Sequence, residues 1–455
     1  MQREAQVMSK KNGKEGAFGY PSLVALLATF TLVLGACSDG AADEPTTTVE
    51  AGATTAATTA PAPSDEPVEL TVWFTQEEGT PSFDDFEAEN PNVTVSVDII
   101  PSDDTFEQLL RMQDAGQPLP DVIRFDGFLK AGLTDAGILR PIDDLVAQWE
   151  EEDPESFAKL VDSTFGSTVW DGQIVGMAYD ASMDQLYYRA DWWSEAGIEV
   201  PWQPATNAEL LDALRLIKEQ RPDSIPWSMF GARGEGVNYL FAHMAAAGVP
   251  FEGATPQLTS DAGLALIEWY QTLIREGLTS PDVLALGGDD AVGLFLGGQA
   301  ATIIESIGLA NDLAGVEGME FPEQYQIATL PYENGGVQIA NPWTFGITTG
   351  SEHPYEASLI LRYLMRDEIA LEVSRDNIVR NQVVLESDVI PELYPAFLPE
   401  HLEILAGAEG FPTDVNFFEV EDVLEQFMQA VIENPEAPAA ELAAEWQGEL
   451  DAVAP

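Results

Sequence analysis

Three histidines, one cysteine and 78 Asp+Glu are the reactive side chains of this 455-residue chain. His243, His353 and His401 lie far apart with no metal-ligand spacing, so each reads as a surface or packing residue. Cys37 has no second cysteine to pair with, which excludes an internal disulfide and a dithiol redox centre. The chain carries no phosphate-cradling Gly-x-x-x-x-Gly-Lys-Ser loop, no Gly-x-Ser-x-Gly elbow and no calcium-loop pattern. No metal or cofactor is therefore expected. Asp103-Asp104, Asp143-Asp144 and Asp289-Asp290 are paired carboxylates, but pairs arise by chance in so acidic a chain. Glycoside hydrolysis needs two carboxylates facing each other across a bond, a geometry that spacing alone does not carry.

Binding chemistry is better represented. Indole faces can stack on the apolar C–H faces of a hydroxyl-rich ring, while carboxylates accept hydrogen bonds from its hydroxyls. Of the ten tryptophans, Trp73 and Trp343 fall in loops at strand ends and Trp227 falls within a strand. Each is a stacking candidate, with core packing as the alternative. Trp170, Trp192 and Trp193 read as structural. Asp126 follows an apolar strand, where it either meets a ligand or caps a helix. Asp180, Glu235, Glu305 and Glu78, with its neighbour Glu77, are further carboxylate candidates. For these the alternative is a solvated carboxylate or a hinge hydrogen bond. Arg124 lies inside an apolar strand and reads as half of an internal ion pair, with ligand contact as the other reading.

The charge balance is 19 Lys+Arg against 78 Asp+Glu, a net −59. Such a surface repels phosphate backbones, so nucleic acid is not an expected partner. Basic Lys10, Lys11 and Lys14 precede an uncharged stretch over 16–36, which ends in Leu34-Gly35-Ala36-Cys37. This resembles an export signal closing on the lipobox of bacterial lipoproteins, with lipidation at Cys37; a plain transmembrane anchor is the alternative. The stretch that follows is rich in Ala, Thr, Pro, Asp and Glu and cannot bury a core. The expected organisation is a signal peptide over 1–36 and a lipidated Cys37 with a disordered linker over 37–67.

Positioning these residues requires a folded part that begins at Val68. There, Val68-Glu69-Leu70-Thr71-Val72-Trp73-Phe74 alternates and then turns apolar, as a strand entering a buried sheet does. Further strands are expected at 93–99, 120–125, 225–230, 300–304 and 344–348. Helices are expected at 83–90, 103–115, 206–219, 236–247, 261–276 and 354–366, with an all-helical end over 422–453. Strand-helix alternation indicates α/β architecture with parallel units. Ligands bind at the carboxyl ends of such strands, in the loops that start at Phe74, Phe125, Ser228 and Ile304.

Several segments resemble the family 1 extracellular solute-binding proteins of ABC importers, the maltose, maltodextrin and trehalose type. The longest runs from Trp170-Asp171-Gly172-Gln173-Ile174-Val175-Gly176 through Tyr179-Asp180 to Leu186-Tyr187-Tyr188 and Glu195-Ala196-Gly197-Ile198. Pro204-Ala205-Thr206-Asn207-Ala208-Glu209-Leu210-Leu211 is similar to a family helix start, with Thr206 as N-cap. Phe295-Leu296-Gly297-Gly298-Gln299-Ala300-Ala301-Thr302-Ile303-Ile304 and the helix opening at Pro354 complete the series. Arg124-Phe125-Asp126 and the stretch from Phe230 to Asn238 are similar to segments of α-glucoside-binding members. The chain departs from the family at Glu305-Ser306-Ile307, where an expected aromatic is missing, and at Asn341-Pro342-Trp343.

The resemblance implies a two-lobed periplasmic-binding-protein-like fold, each lobe a mostly parallel sheet flanked by helices and joined by a multi-strand hinge. The expected lobes are 68–180 with 302–343, and 181–301 with 344–455. Crossings are expected near 179–182, 301–306 and 343. It further implies an extracytoplasmic, membrane-anchored, monomeric protein that captures a disaccharide or oligosaccharide without chemistry and delivers it to ABC permease subunits. Binding of a non-sugar solute, a secreted glycoside hydrolase and an acidic surface adhesin are the rival expectations.

Overall fold

The computed structural model describes residues 61–76, 79–161, 163–234, 236–313, 315–373, 378–379 and 408–455. The expectations for the signal peptide, for Cys37 and for the linker as far as residue 60 lie outside the described residues.

The first sheet is built on β1 (Val68–Phe74), β2 (Val93–Ile99) and β3 (Val122–Asp126), with β1 parallel to both neighbours. The short β4 (Met177–Ala178) lies at its far edge. The chain then leaves through β5 (Asp180–Ala181) and enters the second sheet as β6 (Asp184–Arg189). There, β6 is flanked by antiparallel β7 (Thr302–Ser306) and β8 (Tyr325–Ala328). Ile225 and Ser228 add parallel bridges to Ala300 and Ile303. The second sheet is thus largely antiparallel in its long ladders. β9 (Trp343–Ile347) returns to the first sheet and inserts antiparallel between β3 and β4. Finally β10 (Ile378–Val379) pairs with β5.

These pairings revise the expected lobe boundaries. Residues 302–306 belong to the second sheet, because Ile303 and Ile304 pair with Tyr187 and Leu186. No crossing therefore occurs at 301–306. Residues 343–347 complete the first sheet, and the helix Pro354–Leu364 packs its Ile360 and Leu364 into the same core as Val72, Phe345 and Ile347. The segment from 408 onward joins the second core through Phe411, Phe417, Phe427 and Leu450. Among the described residues, the crossings are marked by β5, which pairs with β10, and by the Asn341 segment bridged to Ser182.

Local chemistry accounts for the elements. β6 is buried on both faces: Leu186 and Tyr188 enter one core and Tyr187 another, as a central strand requires. Thr206 caps the helix Asn207–Gln220 by accepting the Glu209 amide at 3.1 Å, while the Glu209 carboxylate accepts from the Ala205 amide at 3.0 Å. Gly127 is required by contact. A Cβ there would lie 2.6 Å from the Pro342 carbonyl oxygen, which its own amide reaches at 2.9 Å.

Candidate functional site

β3 ends at Asp126 and antiparallel β9 begins at Trp343, which makes these two residues direct cross-strand partners at the carboxyl end of the first sheet. They border a cavity of about 620 Å³ between the two sheets. Ser182 and Asn341 line it from the crossing segments, and Asp184 from the first position of β6. From the second lobe come Ile304, Glu305 and Ser306 of β7, Tyr239 on a helix, and Phe230 and Phe411 from loops. Asp289 and Asp312 lie at its margin, both exposed. The volume falls in the range of small-molecule sites, roughly 300–1,000 Å³.

Among the described residues, five carboxylates and no Lys or Arg line this cavity. Burial pushes the Asp126 carboxyl up to about 7; the hydrogen bond donated by Asn341 and the nearby Arg124 oppose the rise, and Asp180 and Glu421 add to it. Burial likewise brings Asp184 to about 7, helped by the charges of Glu305 and Asp126. Glu305 is raised by burial and then by Asp312 and Asp289, against a lowering hydrogen bond from the Ser306 amide. The described lining is thus acidic. It offers acceptors for hydroxyls, and protonated acids that also donate.

These raised values have a stability consequence. Between pH about 4 and about 7 the folded chain holds protons on Asp126 and Asp184 that the unfolded chain has released, so their contribution to stability falls as pH rises. Asp184→Asn is expected to flatten the fall in Tm between pH 5 and 8, and to raise Tm at pH 8 by about 2–4 °C. Calorimetry of the unliganded protein checks this; an unaltered pH slope counts against it.

The structure brings Asp126, Glu305 and Trp343 to the cavity and leaves other candidates elsewhere. Trp73 is 4% exposed, packed with Leu109, Ile123 and Phe125 in the first lobe. Its side of β1 is covered by the helix Ser102–Asp114, so it is a core residue. Trp227 is fully buried, edge-on to Trp269 at 5.0 Å, and is likewise core. Asp180 is buried beside the hinge, where its carboxylate accepts the Trp343 amide at 2.8 Å. Glu78 and Glu235 lie outside the described residues. Arg124 does not form the expected ion pair among the described residues. Its Nε donates to the Tyr179 hydroxyl at 2.5 Å, its Nη1 to Thr75, and its guanidinium lies over the Trp343 ring.

Sequence reasoning missed Asp184, Tyr239, Asn341 and Phe411. A signal existed for Asp184, a carboxylate opening the apolar run Leu186-Tyr187-Tyr188 just beyond a crossing. Tyr239 sits on a helix buried nearly all round, and Phe411 comes from a distant segment, so neither had a local signature.

The profile of the family named bacterial extracellular solute-binding protein matches residues 75–370. The chain belongs to this family. A relative of this solute-binding protein in Brucella abortus (strain 2308), named as a binding protein, is 24% identical over 364 residues, 76% of this chain and 82% of that one. Among solved structures, maltose-bound MalE3 of T. maritima superposes with a TM-score of 0.70 at 21% identity, covering 85% of this chain and all of that one. The cyclic α-maltosyl-1,6-maltose binding protein of Arthrobacter globiformis gives 0.69 at 19% identity, covering 85% and 99%. The solute-binding protein thus has the two-lobed fold of this group. Among its described residues no helix is long and apolar enough to cross a membrane.

Proposed function

We propose that this solute-binding protein captures a disaccharide or oligosaccharide, with an α-glucoside favoured, and delivers it to the permease subunits of an ABC importer. The observation that carries the reading is the Asp126–Trp343 cross-strand pair at the cavity mouth. It sets an acceptor for hydroxyls beside an indole able to cover a ring face. The five lining carboxylates favour a hydroxyl-bearing solute over a carboxylate-bearing one. The maltose and maltosyl-maltose named for the two structural neighbours support an α-glucoside.

In mechanism, a sugar first rests on Trp343 and Asp126 of the lobe formed by 68–180 with 343–373. Tyr239, Glu305 and Phe230 of the other lobe then close on it. Closure is favoured because the ligand interacts with both halves only in the closed form. No bond of the solute is made or broken. A lipid on Cys37 holds the monomeric protein outside the cytoplasmic membrane, and the segment between Cys37 and the first strand acts as its tether. Loss of palmitate labelling in Cys37→Ser tests the anchor; retained labelling overturns it.

The functional reading is tested by a thermal-shift screen against mono-, di- and oligosaccharides, amino acids and metal ions, with product analysis alongside. Stabilisation by a sugar that is recovered intact is expected. Cleavage of the sugar would instead establish a hydrolase, and stabilisation by non-sugars alone would overturn the carbohydrate reading.

A further inference from the structure

Arg124 is 6% exposed and sits two residues before Asp126 on β3, on the same face of the strand. Its guanidinium carbon lies 4.0 Å from the Trp343 ring centroid and 5.7 Å from that of Tyr179. The Tyr179 hydroxyl accepts from Nε and the Thr75 hydroxyl from Nη1. The planar cation is thus clamped by two hydroxyls and lies against one face of the indole. A residue serving only to fill the core here would be apolar, because a buried guanidinium carries a desolvation cost. What Arg adds over an apolar side chain is a rigid plane with fixed donors that stacks on aromatic faces.

The backbone ties reinforce this arrangement. The Trp343 amide donates to Asp180, which follows Tyr179 in the chain and lies in β5, the first crossing strand. The indole is therefore met on one face by Arg124, the Trp343 backbone amide is held by Asp180, and both ties converge on residues 179–180.

We infer that Arg124 is a positioning residue for ligand capture, which fixes the plane of the Trp343 indole and anchors that plane to the first crossing strand. The inference rests on the carbohydrate reading in one respect: it takes Trp343 to be the surface on which the sugar stacks. With one indole face occupied by the guanidinium, the ligand meets the opposite face. Loss of Arg124 lets the ring tilt, and the stacking surface is no longer prepared before binding.

The test is a double-mutant cycle on the full chain with its fold verified by circular dichroism, read by calorimetric titration with maltose. Arg124→Met is expected to weaken maltose binding about tenfold in the native background, and by less than about twofold when Trp343 is already Ala. Arg124→Lys keeps the charge but lacks the planar fork and is expected to behave as Arg124→Met does. Tyr179→Phe removes one clamp while keeping the cation, and gives a smaller loss in the same direction should the Arg124 variants fold poorly. An equal loss in both backgrounds, an unchanged affinity in Arg124→Met, or full rescue by Lys would overturn the inference.

A readout without ligand separates the two claims. The fluorescence anisotropy attributable to Trp343, taken as the difference from Trp343→Phe, is expected to fall in Arg124→Met because the indole gains motion. If native protein binds no sugar, the carbohydrate reading fails, and unchanged anisotropy would then remove the positioning role as well.

Discussion

Trp343→Ala is expected to weaken sugar binding by between tenfold and a hundredfold while leaving the fold intact. Covering one indole face with a ring of C–H groups removes apolar surface from water, worth roughly 1.5–3 kcal/mol, which corresponds to about 10- to 100-fold in affinity. The alanine also uncovers the Arg124 guanidinium, so a buried cation meets water or solute where it had met an aromatic face. Stability should suffer less than affinity. Trp343 is only half-buried at the first position of β9, and Phe345 and Ile347 on the same strand hold the core. Calorimetric titration and a melting curve on the same preparation check the claim; native affinity would remove Trp343 from the site.

The opposite pattern is expected at the other tryptophan. Trp227→Ala should cost about 3–5 kcal/mol of folding stability, with sugar affinity of the folded fraction changed by less than about twofold. The side chain is fully buried and packs edge-on against Trp269 at 5.0 Å. Nearby, His243 joins the Tyr270 hydroxyl at 3.0 Å and the Asn207 side chain at 2.6 Å. Burial lowers the His243 ring to about 3, so it stays neutral in this core. A cavity opened here would uncover that network. Trp227→Phe should cost far less, since the indole N–H has no hydrogen-bond partner among the described residues and its loss leaves no acceptor stranded. Urea denaturation of both variants decides the matter, and a destabilisation of Trp227→Ala below about 1 kcal/mol would show that the site relaxes.

The contrast between these residues shows what was legible in the chain. Alternation at Val68-Glu69-Leu70 and the cap at Thr206 are local patterns, and both formed where expected. Trp73 and Trp227 are alike with Trp343 in the sequence because residue type and position along a strand do not say which face of the strand a side chain occupies. Covering helices decided that: Ser102–Asp114 over Trp73, and Asp261–Arg275, which brings Trp269, over Trp227. The lobe boundaries failed for a related reason. Strand order is a long-range property, and β7 reads equally well as a member of either sheet until its pairing with β6 is known. Arg124 stands out in the sequence as a charge in an apolar strand, but the indole that answers it comes from a remote part of the chain.

The late arrival of β9 has a consequence for how this molecule can be made. β3 and β4 are both in place early in the sequence, yet the strand that joins them is supplied only after the whole second sheet has been traversed. A fragment ending before Trp343 would carry β3 as an open edge with Ile123 and Phe125 along it, an invitation to pair with another chain. The amino-terminal half is therefore no independent module to be expressed or fused alone. Its completion is a non-local event, and folding should be correspondingly slow and sensitive to truncation.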